Sequence, residues 1–293
     1  MTLHETRAPA IKTFQEVIYT PESQLRQPLK LLKTMFKDLY TGRELAWRLT
    51  VRDISAQYRQ AFLGIVWAFI LPLANTVAWI FLNSTGIVQV GETALPYPLY
   101  VFTGSMLWAI FMDGVNAPLL KATVAKPMLA KINFPREALI LSGIYETIFN
   151  GLIKIILLLL VLALYGISPG IGLLYFPIAF ISLVLAGTLI GLILTPFGLL
   201  YSDIGKAVPI LMQFYMFITP VVFPMPETGW AAKLFQLNPM TPIILTARDW
   251  LTGYSPGYLN YFFSVNLLVL LFLFVFWVVY KLAMPIMIER MSA

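Results

Sequence analysis

Long apolar stretches separated by short polar segments dominate the pattern of this chain. Residues 155–202 contain no Asp, Glu, Lys or Arg, and the breaker cluster at 166–172 divides them into two helices. Because a helix rises about 1.5 Å per residue, about 20 apolar residues cross the roughly 30 Å hydrocarbon core of a bilayer. The pattern predicts an all-α integral membrane protein with six transmembrane helices. These spans lie near residues 62–84, 98–118, 139–165, 173–199, 206–224 and 259–282.

A different periodicity precedes the first span. Apolar residues recur every three or four positions from Leu31 to Leu39 and alternate with lysines. This pattern is typical of helices that lie in the membrane interface. We therefore predict amphipathic interface helices over residues 29–60, interrupted at Gly42, after a cytoplasmic N-terminal arm over residues 1–28. Binding of a soluble partner to the basic face is the alternative.

The segment between the last two spans is apolar but rich in Pro, Gly and aromatic residues. It is too broken for one crossing helix. We predict an outer re-entrant region over residues 225–258, with short helices near 230–237 and 241–251 that dip part-way into the outer leaflet. A solvated loop that rests on the membrane surface is the alternative.

The distribution of charge orients the spans, because Lys and Arg are retained in short cytoplasmic segments. Of the 20 Lys and Arg residues, only Lys233 and Arg248 fall in segments on the opposite side. Both termini and the loop 119–138 are thus predicted to be cytoplasmic, and residues 61–285 to form the transmembrane domain.

The composition, with 59% apolar and 12% charged residues, agrees with a lipid environment. The net charge of +6 reflects this topology and attraction to anionic membrane lipids, and it gives no reason to expect nucleic-acid binding.

Residue types that perform enzyme chemistry are scarce. The chain has no cysteine and a single histidine, His4. Gly205 and Lys206 lack the earlier glycine and the following Ser or Thr of a phosphate-binding loop, and no HExxH spacing occurs. The sequence therefore predicts no catalytic residue, no metal site and no nucleotide bound by this chain.

Charged residues inside spans are expensive and usually face protein or water. Glu146 and Lys154 are eight residues apart, which places them on roughly one side of the third span, towards the helix bundle. Because two helical turns separate them, we expect any mutual stabilisation to pass through intermediate partners. Asp113, near the inner end of the second span, is expected to have a structural role.

The segment 52–73 carries the most informative motif. Its arginines are placed to meet lipid phosphates, its tyrosine to lie at the headgroup level and its glycine to permit close helix contact. In the order Arg-Asp, Tyr-Arg, Leu-Gly, Trp and Pro-Leu, the string resembles the segment with which type-2 ABC exporter permeases for polysaccharides or teichoic acids enter the membrane. The residues of this set are Arg52, Asp53, Tyr58, Arg59 and Gly64.

Three further stretches are similar to the same family. Residues 131–137 resemble its block of lysine, apolar residue, aromatic residue and Phe-Pro-Arg-Glu, with Asn133 at the aromatic position. Residues 201–224 resemble its passage of Arg-Asp, Pro-Ile-Leu and Thr-Pro-Val, with Ser202 where arginine is usual. Residues 237–242 resemble its outer Leu-Asn-Pro turn, and the whole resemblance covers about residues 48–285 in consistent order.

The resemblance implies a half-transporter of the bacterial inner membrane and not an enzyme. Two permeases would pair, and each would dock a separate ATPase subunit, which would carry the ATP and Mg²⁺. The expected substrate is a lipid-linked polysaccharide, O-antigen in particular, with wall teichoic acid or capsular polysaccharide as the alternative. An ion-coupled carrier or a membrane transferase is a less favoured alternative function. The residues expected to couple to the ATPase are Lys126, Lys131, Phe134, Pro135, Arg136, Glu137 and Asp203.

A sugar polymer needs a wide path whose walls bind weakly and repeatedly. Aromatic rings suit this task, because they offer apolar faces to sugar C–H groups without many directional hydrogen bonds. The candidate residues for the polymer path are Trp67, Trp79, Trp108, Phe111, Tyr215, Phe217 and Phe223.

Overall fold

A computed structural model describes residues 27–59, 66–88, 91, 93–129 and 134–292. Ten helices, and no strand, are found in these ranges. They are α1 Pro28–Arg59, α2 Trp67–Ser84, α3 Tyr97–Val124, α4 Lys126–Leu129, α5 Glu137–Leu164, α6 Gly172–Leu200, α7 Asp203–Phe217, α8 Gly229–Leu237, α9 Met240–Thr252 and α10 Leu259–Ser292.

Four of the described helices are long and apolar enough to cross a membrane: α3, α5, α6 and α10. The prediction of an all-helical, multi-pass membrane protein is confirmed to this extent, while the count of six spans stays a prediction. The predicted fifth span, 206–224, is not one helix. Its helix α7 has 15 residues and ends at Phe217, shortly before Pro220, which has no N–H to continue a helix.

The N-terminal helix α1 is continuous over 32 residues, so the predicted interruption at Gly42 is wrong. Gly42 serves close packing instead: a Cβ there would lie 3.4 Å from the Cβ of Ala138 and 3.5 Å from that of Pro135, at the start of α5. The buried stripe of α1 includes Met35 and Ala46, and it faces the protein. A position of α1 in the membrane interface stays a prediction.

The bundle is held together most tightly where α3 crosses α6. Gly187 and Gly191 of α6 leave no room for a side chain, because a Cβ on Gly187 would lie 2.9 Å from the Cα of Gly114, and one on Gly191 would lie 2.8 Å from the Cδ of Pro118. Small residues four apart let two membrane helices approach to backbone contact. This crossing places α3 at the centre of the bundle.

The two short helices predicted between the last spans are present as α8 and α9. Helix α9 packs against α3, α6 and α10, and Ile243, Ala247 and Leu251 are completely buried there. A solvated surface loop does not fit this burial, because α9 is part of the protein core. Whether the region dips into a leaflet stays a prediction.

Candidate functional site

Buried ion pairs join α1 to the centre of the bundle. Lys121 of α3 is 7% exposed, and its Nζ lies 2.5 Å from Oδ2 of Asp53 in α1 and also contacts Glu146 of α5. Arg52 pairs with the other oxygen of Asp53 at 2.7 Å. Burial raises the pKa of Asp53, but hydrogen bonds and charge from Arg52 and Lys121 outweigh it, so the net pKa lies below its usual value. Asp53 is therefore a charged link between α1, α3 and α5.

A second buried group joins α1, α5 and α10. The Nζ of Lys281 lies 2.6 Å from both Oδ2 of Asp38 and Oε1 of Glu137. Glu137 is completely buried, so its carboxylate does not reach the protein surface. The predicted direct contact of Glu137 with an ATPase does not fit this position. Its place in the first turn of α5 and its pair with Lys281 give it an internal role.

The charges inside the third predicted span have separate partners. Lys154 pairs with Asp113 of α3, and Glu146 pairs with Lys121. Both face the bundle, as their spacing predicts, and the two do not bond each other. The ion pair of Asp113 with Lys154 agrees with the structural role expected for Asp113.

The remaining residues predicted to couple to an ATPase lie at the end of α3 and the starts of α5 and α7. Lys126 is partly buried in α4, and Phe134, Pro135 and Arg136 are partly buried just before α5. Phe134 packs against the apolar cluster that includes Met35 of α1. Asp203 is the first residue of α7 and is exposed. Lys131 lies outside the described residues.

The set predicted to lie where the chain enters the membrane is on the last turns of α1. Arg52 and Arg59 are exposed, in agreement with a surface position, while Asp53 is engaged by Lys121. Tyr58 belongs to α1, but its side chain is outside the described part of the structure, as is the whole of Gly64.

Six of the seven aromatic residues proposed for the polymer path form two groups of touching rings. The ring of Trp79 lies 5.9 Å from that of Phe217 and 5.3 Å from that of Phe223. The ring of Trp108 lies 4.9 Å from that of Phe111 and 5.7 Å from that of Tyr215. All of these separations fall in the range of attractive ring pairs.

Two of these rings lie deeper than a path wall requires. Trp108 is 6% exposed and Phe111 is completely buried, because the close crossing of α3 and α6 encloses them. Direct contact of Phe111 with a polymer does not fit this burial. Trp79, Tyr215, Phe217 and Phe223 are partly buried, and Trp67, at the start of α2, is about half exposed at 48%.

Several connecting residues were missed from sequence. Lys121 and Lys281 could have been found, since a lysine within an apolar helix needs a partner. Asn238 lies in the Leu-Asn-Pro motif, and its amide donates to the carbonyl of Ile218 and to Oγ1 of Thr219, both at 2.8 Å. Its Oδ1 accepts a 2.7 Å hydrogen bond from Oη of Tyr215. In the sequence Asn238 is only a polar residue next to a proline, and this pattern does not predict a hydrogen-bond network.

Among the described residues, no group of three His, Cys, Asp or Glu side chains is arranged to hold a metal ion. Five of the acidic residues named above, Asp38, Asp53, Asp113, Glu137 and Glu146, pair with a lysine or an arginine.

No protein-family model matches the chain. Several curated proteins are similar to it. The chain is 24% identical over 213 residues to the O-antigen export system permease protein RfbA of Myxococcus xanthus, and this alignment covers 72% of this chain and 81% of that protein. It is 23% identical over 219 residues to RfbA of Klebsiella pneumoniae, with 73% and 81% covered. It is 24% identical over 230 residues to the polysialic acid transport protein KpsM of Escherichia coli, with 75% and 84% covered. The names describe permease and transport proteins, not enzymes.

Proposed function

We propose that this chain, a type-2 ABC exporter permease by its homology to these proteins, is the membrane half of an ATP-driven exporter for a lipid-linked polysaccharide. The observation that carries the proposal is the aligned length, 72–75% of the chain against relatives named for O-antigen export and polysialic acid transport. O-antigen is the substrate we propose. Wall teichoic acid or capsular polysaccharide is the alternative.

The proposed topology has six spans, with both termini on the cytoplasmic side of the bacterial inner membrane. In this arrangement α1 lies in the inner interface, α2 and α7 complete the set of spans, and α8 and α9 enter the outer leaflet part-way. The excess of Lys and Arg on one side supports the orientation. The burial of α9 supports the re-entrant position, because irregular backbone at membrane depth is tolerated where protein covers it.

The proposed assembly contains two copies of this chain and two ATPase subunits that bind ATP and Mg²⁺. The ATPase would dock on the segment 126–136 and on Asp203. This segment is suited to transmit movement, because Pro135 lies beside Gly42 of α1 and Phe134 packs into the core below it. The ion pairs of Asp53 and Lys281 would carry the displacement of α1 into α3, α5 and α10.

The proposed polymer path is bounded by the partly buried rings of Trp79, Tyr215, Phe217 and Phe223. Trp108 would support Tyr215 from behind rather than contact the polymer. An ion-coupled carrier is less well supported, because Asp113, Glu146 and Lys154, the charged groups in the middle of the spans, are held in pairs and are not free to bind a transported ion.

The test is co-expression of the chain with its ATPase subunit in a strain from which both genes are deleted. We expect the two proteins to purify together and surface polysaccharide to return. Arg136→Ala should reduce both assembly and export, because Arg136 is a partly exposed cation at the end of the docking segment. Arg48→Ala is the matched control, since the one ion pair of Arg48 among the described residues is the exposed one with Glu44. Full assembly and full export by Arg136→Ala at wild-type expression would exclude the proposed docking site.

A further inference from the structure

The turn between α7 and α8, residues 218–223, is bound by side chains from two helices and from the residue that follows α8. Asn238, after α8, donates to the carbonyl of Ile218 at 2.8 Å. Oη of Tyr100 in α3 lies 3.2 Å from the carbonyl oxygen of Pro220 and 3.3 Å from that of Phe223. Nη2 of Arg248 in α9 donates to the carbonyl of Val221 at 3.0 Å. Side chains therefore reach four backbone carbonyls that no helix satisfies, and those of Pro220 and Phe223 share the single proton of the Tyr100 hydroxyl.

Arg248 stands out in this network because it is buried and forms no direct ion pair among the described residues, although its charge acts on the neighbouring Asp249. It is 3% exposed, and no carboxylate of the described residues forms an ion pair with it. Its guanidinium lies over the ring of Tyr100, 3.7 Å from the ring centre, while Nε and Nη1 have no hydrogen-bond partner among the described residues. Burial of a charge without an ion pair is expensive, and the hydrogen bond to Val221 and the contact with the Tyr100 ring offset part of that cost.

The backbone of α3 is shaped to admit this contact. A Cβ on Gly104 would collide with the carbonyl of Val221 and would lie 2.5 Å from Nη2 of Arg248. Any larger residue would separate the arginine from the turn. The turn, Arg248 and α3 thus meet at one point.

Two rings of the candidate polymer path lie at the two ends of this turn. Phe217 ends α7 immediately before the turn, and Phe223 is its last residue. Both rings rest against Trp79 of α2, as described above. A displacement of the turn would move both rings away from α2.

We infer that Arg248 is a positioning residue for the polymer path: through the Val221 carbonyl and the Tyr100 ring it holds Phe217 and Phe223 against Trp79. Its consequence for export rests on the proposed function, while the positioning itself is a property of this chain alone. A planar guanidinium can stack on a ring and donate to a carbonyl at once, whereas the lysine ammonium cannot do both in one geometry.

The positioning is tested by cysteine labelling of the full chain in detergent. The native chain has no cysteine, so a single introduced thiol gives an unambiguous signal. Val222→Cys reports the turn, because Val222 is 1% exposed and reacts with N-ethylmaleimide only when the turn opens. Ser182→Cys reports the rest of the bundle, since Ser182 is 4% exposed in α6 and is nearly the same size as cysteine.

Arg248→Met should raise the labelling rate at position 222 by about tenfold or more, since a hydrogen bond from a charged donor is lost. The rate at position 182 should stay unchanged. Arg248→Lys should restore part of the protection at 222, and Tyr100→Phe should reproduce part of the loss, because it keeps the ring and removes the hydroxyl. Thr246→Val is the matched control, a buried polar residue of α9 whose Oγ1 has no hydrogen-bond partner within the described structure.

An unchanged rate at 222 in Arg248→Met overturns the inference. An equal rise at 222 and 182 also overturns it, because the arginine would then stabilise the whole bundle and not the turn. In vesicles that contain the ATPase, Arg248→Met should keep ATP hydrolysis and export less polysaccharide per ATP. If the turn opens as expected but the wild-type chain exports no polysaccharide, the proposed function fails and the positioning stands.

Discussion

At the scale of single residues, this membrane protein uses its charges in pairs between helices. The Asp113–Lys154 pair joins α3 to α5, with 9% of the lysine side chain exposed. A buried pair contributes little by itself, but removal of one member leaves an uncompensated charge. The effect of single and double substitutions should therefore differ in a characteristic way.

Lys154→Met should lower the stability of the purified chain by about 1–2 kcal/mol, because it removes the partner of Asp113, whose side chain is 32% exposed and therefore only partly desolvated. The Lys154→Met, Asp113→Asn double variant should recover most of that loss. Thermal unfolding in detergent measures both. Equal melting temperatures for wild type and Lys154→Met would show that the pair is not buried as described.

Asp249 of α9 is a residue whose charge opposes folding. Burial raises its pKa to about 6, although the charge of Arg248 and a hydrogen bond from the backbone of Gly257 act in the opposite direction. Because the folded pKa lies above the ordinary 3.8, the protonated form favours the fold. The stability that this proton contributes is complete below about pH 4 and is lost as the pH rises through about 6.

Asp249→Asn should therefore stabilise the chain at pH 7.5 by about 1–2 kcal/mol, a value reduced for the partial exposure of the carboxylate. The advantage should disappear as the pH falls towards 4. Melting temperatures of both chains across this range measure it, with the exposed Glu227→Gln as the control. An advantage that stays constant with pH would argue against the raised pKa.

At the scale of helices, the positions of the long apolar elements follow from the length of apolar runs, and α5 and α6 lie within two residues of their predicted ranges. Helices α3 and α10 begin where predicted but continue six and ten residues beyond the predicted ends of their spans. The short helices α8 and α9 follow from the spacing of Pro and Gly. The prediction of a helix break at Gly42 was wrong because a glycine marks either a break in a helix or a close contact with another element, and only the packing partner distinguishes the two. The charge pairs could not be matched from sequence, since Asp53 and Lys121 are 68 residues apart and Asp38 and Lys281 are 243 apart. Local patterns reach only three or four positions.

The crossing of α3 and α6 gives a prediction of its own. Gly187→Ala should destabilise the chain by about 1–3 kcal/mol, because its Cβ would press on the backbone at Gly114 and force the two helices apart. Gly205→Ala is the matched control, since nothing lies within 4 Å of the added atom in α7. It should be neutral or slightly stabilising by helix propensity. If both variants melt alike in detergent, the close crossing is excluded.

At the scale of the whole molecule, the proposed assembly has the ATPase act on the bundle through α1, which the ion pair of Asp38 with Lys281 joins to α10. Lys281→Met alone is a poor test, because it leaves Glu137 as a buried, unpaired acid.

The Lys281→Met, Glu137→Gln double variant removes that charge and leaves Asp38 partly solvated, with 26% of its side chain exposed. It should retain a melting temperature near that of the wild type and should still bind the ATPase, while α1 loses its ionic connection to α10. We expect ATP hydrolysis to continue in this variant and export in vesicles to fall by about tenfold, as for the loss of a coupling contact worth 1–2 kcal/mol. The Arg48→Ala variant, which removes an exposed pair on the same helix, should export normally. Wild-type export by a stable double variant would mean that α1 moves the bundle through its apolar contacts and the Asp53 pair, and that Lys281 serves folding alone.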